Sequence, residues 1–533
     1  MAGVAIFFAA GVCLGITCST PSVVPLVAGA ILLLVSLLCG HVGRLAAGAA
    51  PSLLLAVTCI GWTHAAARSE SQPAPIAAVL SAPAGGVGVI GVLDDDAIPM
   101  GVSSNGATWK GRIQAERIRA SRAVPWSDVA GPVWVRFQLP AAFRPPRYGE
   151  RWAFNGHLSP GAPSLVRGAA PDPAFLAAGR SAHRITTGQG SEAIRLALEA
   201  RDKARGILAH GIAAFPRESA ILNSLLLGVR GQMPRETYQD FANTSTLHVF
   251  AISGSHVVIL AGILVLALSA CGMPRTRWIL ALGPVLLLYT VMTGLQSSAT
   301  RACIMGILFW SAPLLGRKPD VYSSLGAALI LLLAWSPSNL ADAGFLLSFA
   351  AVLGLALFTP VLLAPLQKRL RRDPLQLPPD PAWKNALRRF GLELGGLGAM
   401  TVAATLASAP LTALYFGSVA PIGLLGNLVA VPLASLIILT GALSLALGSI
   451  ALFLAGVFNH ANVALAFLLH RFIAFLAAVP GGHWTVPPPP LWTILLAYAL
   501  LIAIRFGLWV HATQAPEHNR AGPPAGGTNL LLE

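Results

Sequence analysis

Runs of roughly 17 to 25 mostly apolar residues recur from the first residues to about position 510, each long enough to cross a hydrocarbon core about 30 Å thick as a helix. Three lie near 4–18, 23–39 and 45–63. None follows between Ala65 and Thr246. A second block resumes at Leu247, with runs near 247–268, 278–294, 299–315, 322–335, 343–363 and 392–415, and about three or four more beyond. This pattern predicts roughly ten to twelve spanning helices.

The interval between the two blocks has a different period. Val133-Trp134-Val135-Arg136-Phe137-Gln138-Leu139 and Arg151-Trp152-Ala153-Phe154 alternate as strands do, and Gly and Pro punctuate the stretch, so a small β-barrel is expected. Residues 191–215 change to a helical period, with Arg195, Arg201, Lys203 and Arg205 opposite Ile207, Leu208 and Phe215. Such a helix suits a membrane surface or the side of the barrel equally. The expected fold is an all-α polytopic membrane bundle with an inserted small β-barrel. Its parts are N-terminal spans at 1–64, the barrel at 65–190, an amphipathic helical linker at 191–246, the main membrane block at 247–510 and a polar tail at 511–533.

Composition agrees, with 55% hydrophobic and 11% charged residues. A net charge of +15 fits an anionic partner, yet basic cytoplasmic loops give the same sign in any membrane protein. The six cysteines, Cys13, Cys18, Cys39, Cys59, Cys271 and Cys303, fall in or beside apolar runs and form no metal pattern. The run from Val4 to Cys18 lacks a basic leader segment and is read as a retained span.

Orientation follows from the basic stretch Gln367–Arg389, which contains Lys368, Arg369, Arg371, Arg372, Lys384, Arg388 and Arg389. Placing it in the cytoplasm and stepping back span by span puts Arg317, Lys318, Arg275, Arg277 and Arg44 inside and 65–246 outside. Loops past 415 carry too little charge to orient.

The most unusual stretch is Leu247-His248-Val249-Phe250-Ala251-Ile252-Ser253-Gly254-Ser255-His256-Val257, which sets two histidines and two serines at the start of an apolar run. Polar groups at membrane depth face a bundle interior or a wet path, so His248, Ser253, Gly254, Ser255 and His256 are candidate pathway residues. Plain interhelical hydrogen bonding is the alternative. A zinc site would need a third ligand near the two histidines, and a serine hydrolase would need a G-x-S-x-G elbow and an acid; neither is present. No catalytic assembly, metal or cofactor is expected.

Several further segments follow in order: Leu225-Leu226-Leu227-Gly228 with Met233-Pro234, Tyr289-Thr290-Val291-Met292-Thr293-Gly294 with Ser297-Ser298-Ala299-Thr300-Arg301-Ala302, and Asp342-Ala343-Gly344-Phe345-Leu346-Leu347-Ser348-Phe349. Ala409-Pro410-Leu411, Tyr415-Phe416-Gly417 and Asn427-Leu428-Val429-Ala430-Val431-Pro432 complete the set. Together with the histidine–serine stretch they resemble the signature of the ComEC competence proteins, closely over about 200–432. The resemblance implies an inner-membrane channel that passes single-stranded DNA into the cytoplasm during natural transformation, and an OB-like fold for the barrel. It adds Tyr289, Arg301, Asp342, Ser348, Asn427 and Pro432 to the candidate pathway. Arg301 offers phosphate a cation or snorkels to head groups. Asp342 caps a helix or pairs with Arg301 or His248. Asn427 and Pro432 mark a broken helix or an ordinary kink.

Within 110–184 there are twelve Lys/Arg against four Asp/Glu, interleaved with aromatics. Lys110, Arg112, Arg117, Arg136, Arg144, Arg147 and Arg151 with Trp134 and Trp152 are therefore candidate contacts to single-stranded DNA, although a small barrel must also fill its interior with such rings. Two departures from the family stand out. The chain has no H-x-H-x-D-H motif of the metallo-β-lactamase-like domain many relatives carry, so degradation of the other strand is expected from a separate nuclease or a longer form of the chain. Leu346 stands where the family more often has glutamine. With no G-x-x-x-x-G-K-[ST] loop, a cytoplasmic motor or single-strand-binding protein is expected to drive transport, a periplasmic DNA receptor to deliver the strand, and membrane lipids to surround it. The competing reading is a small-solute transporter with an extracytoplasmic ligand-binding domain, which predicts paired halves that the sequence does not display.

Overall fold

The computed structural model describes residues 2–17, 25, 46–71, 84–103, 106–119, 124–140, 143–159, 174–229, 233–318, 320–370, 381–487 and 489–514. The apolar run at 23–39, Arg371 and Arg372, and the tail past 514 lie outside these residues. The chain divides into two compact units, residues 1–349 with 420–484, and 350–419 with 485–533.

The first unit opens with helices α1 (Ala2–Thr17) and α2 (Ala46–Ser71). Gly11 and Gly61 sit where they cross. A Cβ at Gly11 would lie 1.8 Å from the Thr58 carbonyl oxygen, and one at Gly61 would lie 2.4 Å from that of Phe8. Only hydrogen fits at either point, as at the small-residue crossings of membrane helices.

Among the described residues seven strands form a separate sheet domain: β1 (Ala84–Leu93), β2 (Ile98–Ser103), β3 (Gly106–Arg119), β4 (Ser127–Leu139), β5 (Arg151–Ser159), β6 (Ala174–Gly179) and β7 (Ala182–Thr186). β1 pairs with both β3 and β5, β3 with β4, β4 with β6, and β6 with β5, so the pairings return to β1; β2 joins β3, and β7 joins β5. Period-two alternation sets the faces. Val133, Val135, Phe137 and Leu139 point inward, while Trp134, Arg136 and Gln138 lie between them on the other face. Phe137, Trp152 and Phe154 fill the interior with Ile113, Leu158 and Leu176, each large side chain contributing about 1.5–3 kcal/mol by burial.

Helix α3 (Glu192–Ala209) leads to α4 (Pro216–Leu227) and α5 (Arg235–Asn243). Arg201 ties α3 to the sheet domain: its Nη2 lies 2.7 Å from Asp95 Oδ1 and 3.6 Å from Asp96 Oδ2. The other end of α3 meets the bundle, where Asn459 Nδ2 donates to the carbonyls of Ile207 (2.8 Å) and His210 (3.0 Å).

The bundle of this unit contains α6 (Gly254–Ala270), α7 (Ile279–Met292), α8 (Ser297–Ser311), α9 (Val321–Trp335), the first turns of α10 (Ala343–Leu370), α12 (Gly423–Gly448) and α13 (Leu452–Ala477). The rest of α10, with α11 (Ala382–Phe416) and α14 (Leu491–Gln514), belongs to the second unit. Among the described residues five helices are long and apolar enough to cross a membrane: Ser297–Leu315, Ala343–Leu370, Ala382–Phe416, Gly423–Gly448 and Leu452–Ala477. Shorter apolar helices include Gly254–Ala270, Val321–Trp335 and Trp492–Gly507. A mostly helical chain with a separate sheet domain, fitting a multi-pass membrane protein, is therefore borne out.

One local expectation needs correction, and one open alternative is decided. The apolar run read from Leu247 does not begin its helix there: Leu247–Phe250 is one 3₁₀ turn, and α6 starts at Gly254 because Ser253 and His256 cap it reciprocally. α12 is not a broken helix either, since it runs unbroken from Gly423 to Gly448 through Pro432. Proline removes one ladder donor and bends a helix, and the turns on both sides hold the rest.

Candidate functional site

The candidate pathway residues gather mainly where α6, α8 and α10 begin. Before α6 the chain is extended at Ser253. The Ser253 backbone N–H donates to His256 Nδ1 (3.2 Å), which makes Nδ1 an acceptor and leaves the ring proton on Nε2. Ser253 Oγ lies 3.0 Å from the same Nδ1 and 2.6 Å from Ser255 Oγ. His256 is buried, and its Nε2 faces the Leu225 carbonyl without a well-formed hydrogen bond.

Side chains at the start of α8 hold this link. Ile252 N–H donates to Gln296 Oε1 (3.3 Å), and Ser298 Oγ donates to the Ile252 carbonyl (2.5 Å). Leu295, just before them, adopts φ 51°, a left-handed conformation that costs a side-chain-bearing residue of order 1 kcal/mol or more. α10 begins against the same place. Asp342 caps it by accepting from Gly344 N–H (3.0 Å), and a Cβ at Gly344 would lie 3.1 Å from Ser297 Oγ.

Arg301, one turn into α8, occupies the junction. It is 5% exposed, its Nε donates to Ser348 Oγ (2.8 Å), its Nη1 lies 3.6 Å from Met305 Sδ, and its guanidinium lies 5.7 Å from the Phe349 ring. A Cβ at Gly254 would stand 3.9 Å from its Nη2, which sets the guanidinium beside the first residue of α6. Among the described residues no carboxylate pairs with Arg301. The expected alternative of a pair with Asp342 is not formed, because that carboxylate is taken up by its own helix.

Burying an unpaired guanidinium costs several kcal/mol. Here the environment adds to that cost, because the start of a helix carries about half a positive charge and three helices start within reach of one another. An arrangement of this kind is complementary to an anion.

The remaining candidates lie apart from this junction. Tyr289 Oη donates to the Leu226 carbonyl (3.2 Å). His248 is exposed, with Nδ1 3.1 Å from the Ser245 carbonyl. A Cβ at Gly423 would meet the Thr244 carbonyl at 2.8 Å, so α12 begins on the Thr244–Thr246 segment. One turn on, Asn427 Oδ1 is buried without a partner among the described residues. Pro432 lies further along α12. Gln296 was not singled out in the sequence, and Ser298 entered only within a motif, since nothing in the composition of a Ser-rich helix start says which backbone groups its side chains will meet.

On the sheet domain the cationic set divides. Arg112 pairs with Asp94 (2.8 Å), Arg117 with Asp128 (3.2 Å) and Arg151 with Glu116 (2.7 Å), so much of their charge is answered within the domain. Trp152 is corrected as a stacking platform: it is 0% exposed, and its Nε1 donates to the buried Glu150 (3.0 Å). Trp134 stays on the outer face with Lys110 Nζ 4.6 Å from its ring centre, and Lys110 faces Arg136 across the β3–β4 register. Arg144 and Arg147 are exposed between β4 and β5. Burial raises Asp94 and Asp96 above the ordinary carboxylate range, an effect that Arg112 at Asp94, and the Tyr148 N–H with Arg201 at Asp96, offset only in part.

Comparison with known proteins bears on the bundle. The competence protein family's profile matches residues 225–511, which include α6 to α13 and the whole Arg301 junction. The chain belongs to the competence protein family. The ComEC resemblance read from the motifs is thereby borne out. A relative named ComE operon protein 3, from Bacillus subtilis (strain 168), is 26% identical over 229 residues, 43% of this chain and 26% of the relative. The match thus spans about a quarter of that relative's length. No solved structure matches the chain.

Proposed function

We propose that this competence-family protein is an inner-membrane channel that conducts single-stranded DNA into the cytoplasm during natural transformation, with the Arg301 junction holding the phosphate backbone. The observation that carries the reading is a buried arginine that no carboxylate among the described residues pairs, at the common start of three helices, inside the residues that define the family. A strand bearing one charge per phosphate needs cations, helix N-termini and water in place of hydrocarbon. Helix lengths support a wet approach: α6 and α7 have 17 and 14 residues, about 26 and 21 Å at 1.5 Å per residue, against a hydrocarbon core of about 30 Å. Their polar ends therefore stop short of one surface, where groups unsatisfied in lipid require water or protein.

The sheet domain is read as a closed, OB-like barrel, supported by the circuit of pairings through β1 and β5. On the extracytoplasmic side, with residues 65–246, its Trp134, Lys110 and Arg136 face offers one stacking ring beside two cations, a combination that holds single strands without reading sequence. The chain performs no catalysis and needs no cofactor; a periplasmic receptor, a separate nuclease and a cytoplasmic motor or single-strand-binding protein complete the route.

The test is to delete the gene in its host and restore either the wild type or Arg301→Ala, with membrane insertion verified, while following labelled donor DNA. The wild type restores internalised single strands, and Arg301→Ala leaves surface-bound duplex but little internal strand, with Arg301→Lys in between. Internalisation by Arg301→Ala at the wild-type level would remove the junction from the pathway.

A further inference from the structure

The second unit contains a feature unconnected with the strand. A cavity of about 480 Å3 opens between α10, α11 and α14, a size ordinary for a ligand site. Leu353, Leu357, Phe358 and Leu501 give it apolar walls. Among the described residues two polar side chains reach it, and one of them has donors to spare. Tyr498 Oη is engaged with the Ala407 carbonyl (2.8 Å). Arg505 Nε donates to the Leu357 carbonyl (3.0 Å), and among the described residues no carboxylate pairs with its guanidinium. An apolar slot with one cation selects an amphiphile that has a hydrocarbon chain and an anionic group.

Contacts also fix which end of the slot is cationic. A Cβ at Gly354 would meet Ala407, and one at Gly395 would meet Leu366, so α10 and α11 run antiparallel. Tyr498 meets Ala407 and Arg505 meets Leu357, so α14 runs parallel to α10. Arg505 therefore lies toward the end at which α10 finishes with exposed Lys368 and Arg369. In sequence it precedes His511, where α14 turns polar, by six residues, about 9 Å of helix. Leu357, whose carbonyl Arg505 meets, stands eleven residues, about 16 Å of helix, before Lys368, so the guanidinium lies below the head-group layer, where an anionic head group is drawn inward to meet it; basic pockets between spans bind anionic head groups.

We propose that this cavity is a site for an anionic phospholipid of the leaflet facing Lys368 and Arg369, one acyl chain lying along Leu353 and Leu501 and the phosphate meeting Arg505. The occupant is a phospholipid because the slot joins a cation to an apolar channel whose side is open along its length, as an acyl chain needs: Leu353, Ile502 and Phe506 are 43%, 67% and 63% exposed.

The test uses the full chain, purified and exchanged into mixed micelles of phosphatidylglycerol or of phosphatidylcholine. Lipid retained after delipidating washes is identified by mass spectrometry, and the thermal unfolding midpoint is followed as lipid is added. The wild type retains phosphatidylglycerol and its midpoint rises with that lipid alone; Arg505→Lys behaves similarly. Arg505→Gln loses both effects, and Leu353→Trp, which fills the slot without touching the cation, loses them too. The second variant decides the matter should Arg505→Gln fold poorly. Phosphatidylcholine retained as well as phosphatidylglycerol, a free fatty acid in place of the phospholipid, or undiminished retention by Leu353→Trp would each overturn the site.

Discussion

Arg301 and Trp152 show what a residue's identity reveals and what it conceals. A cation in the Ser-Ala-Thr-Arg stretch of an apolar chain was conspicuous in the sequence, but its neighbours were not, because Gly254 and Ser348 lie 47 residues away on either side and the Cβ space at a glycine leaves no trace in composition. Trp152 and Trp134 look alike in an alternating strand pattern. Only the register, which turns one inward and one outward, separates packing from contact. Trp134→Ala should therefore weaken single-strand binding by about 1–3 kcal/mol in a fluorescence titration while leaving the unfolding midpoint almost unchanged. Trp152→Ala should instead cost about 3–5 kcal/mol of domain stability. The buried aspartates give a pH signature. Because their folded pKa values are raised, Asp94 and Asp96 favour the folded domain below the ordinary carboxylate pKa of about 3.9 and lose that contribution as pH rises through the folded values. As pH rises above the ordinary carboxylate pKa of about 3.9, the midpoint of the wild type should decline relative to that of an Asp94→Asn/Asp96→Asn variant, whose Asn residues do not titrate.

Elements were read well where one period governed a long stretch and poorly where a cap or a kink decided the boundary. The long runs at 343–363 and 392–415 became α10 and α11, both longer than their apolar cores because Lys368, Arg369 and Lys384 extend the helices beyond them. The run from Leu247 lost its first turn and more to a 3₁₀ segment, since hydropathy does not register that Ser253 and His256 form a cap. Pro432 left two readings open in the sequence, and the unbroken helix Gly423–Gly448 selects the ordinary proline within a helix held on both sides. The close approach of α1 and α2 was likewise hidden, although both glycines were in plain view. Gly61→Leu should force the two helices apart, which a cysteine pair placed across the crossing would report as a lower crosslinking yield than with glycine present.

At the scale of the whole molecule, class and family were legible because hydropathy runs and ordered motifs survive without knowledge of contacts. The division into two units was not, since α10 passes from one into the other without a change of composition. Within the first unit, Arg201 joins the sheet domain to α3, and Asn459 joins α3 to the bundle, giving a continuous polar-bonded connection between the sheet domain and the family-defining helices. The central claim is that the polar start of α6 is wet and accepts a polyanion. Ser255, exposed beside the Ser253–His256 cap, is the place to ask. In a chain whose native cysteines are replaced, Ser255→Cys should react with a membrane-impermeant, negatively charged thiol reagent, and added single-stranded DNA should slow that reaction. A cysteine that is inert to the charged reagent yet modified by a lipid-soluble one would place the segment in hydrocarbon and contradict the account.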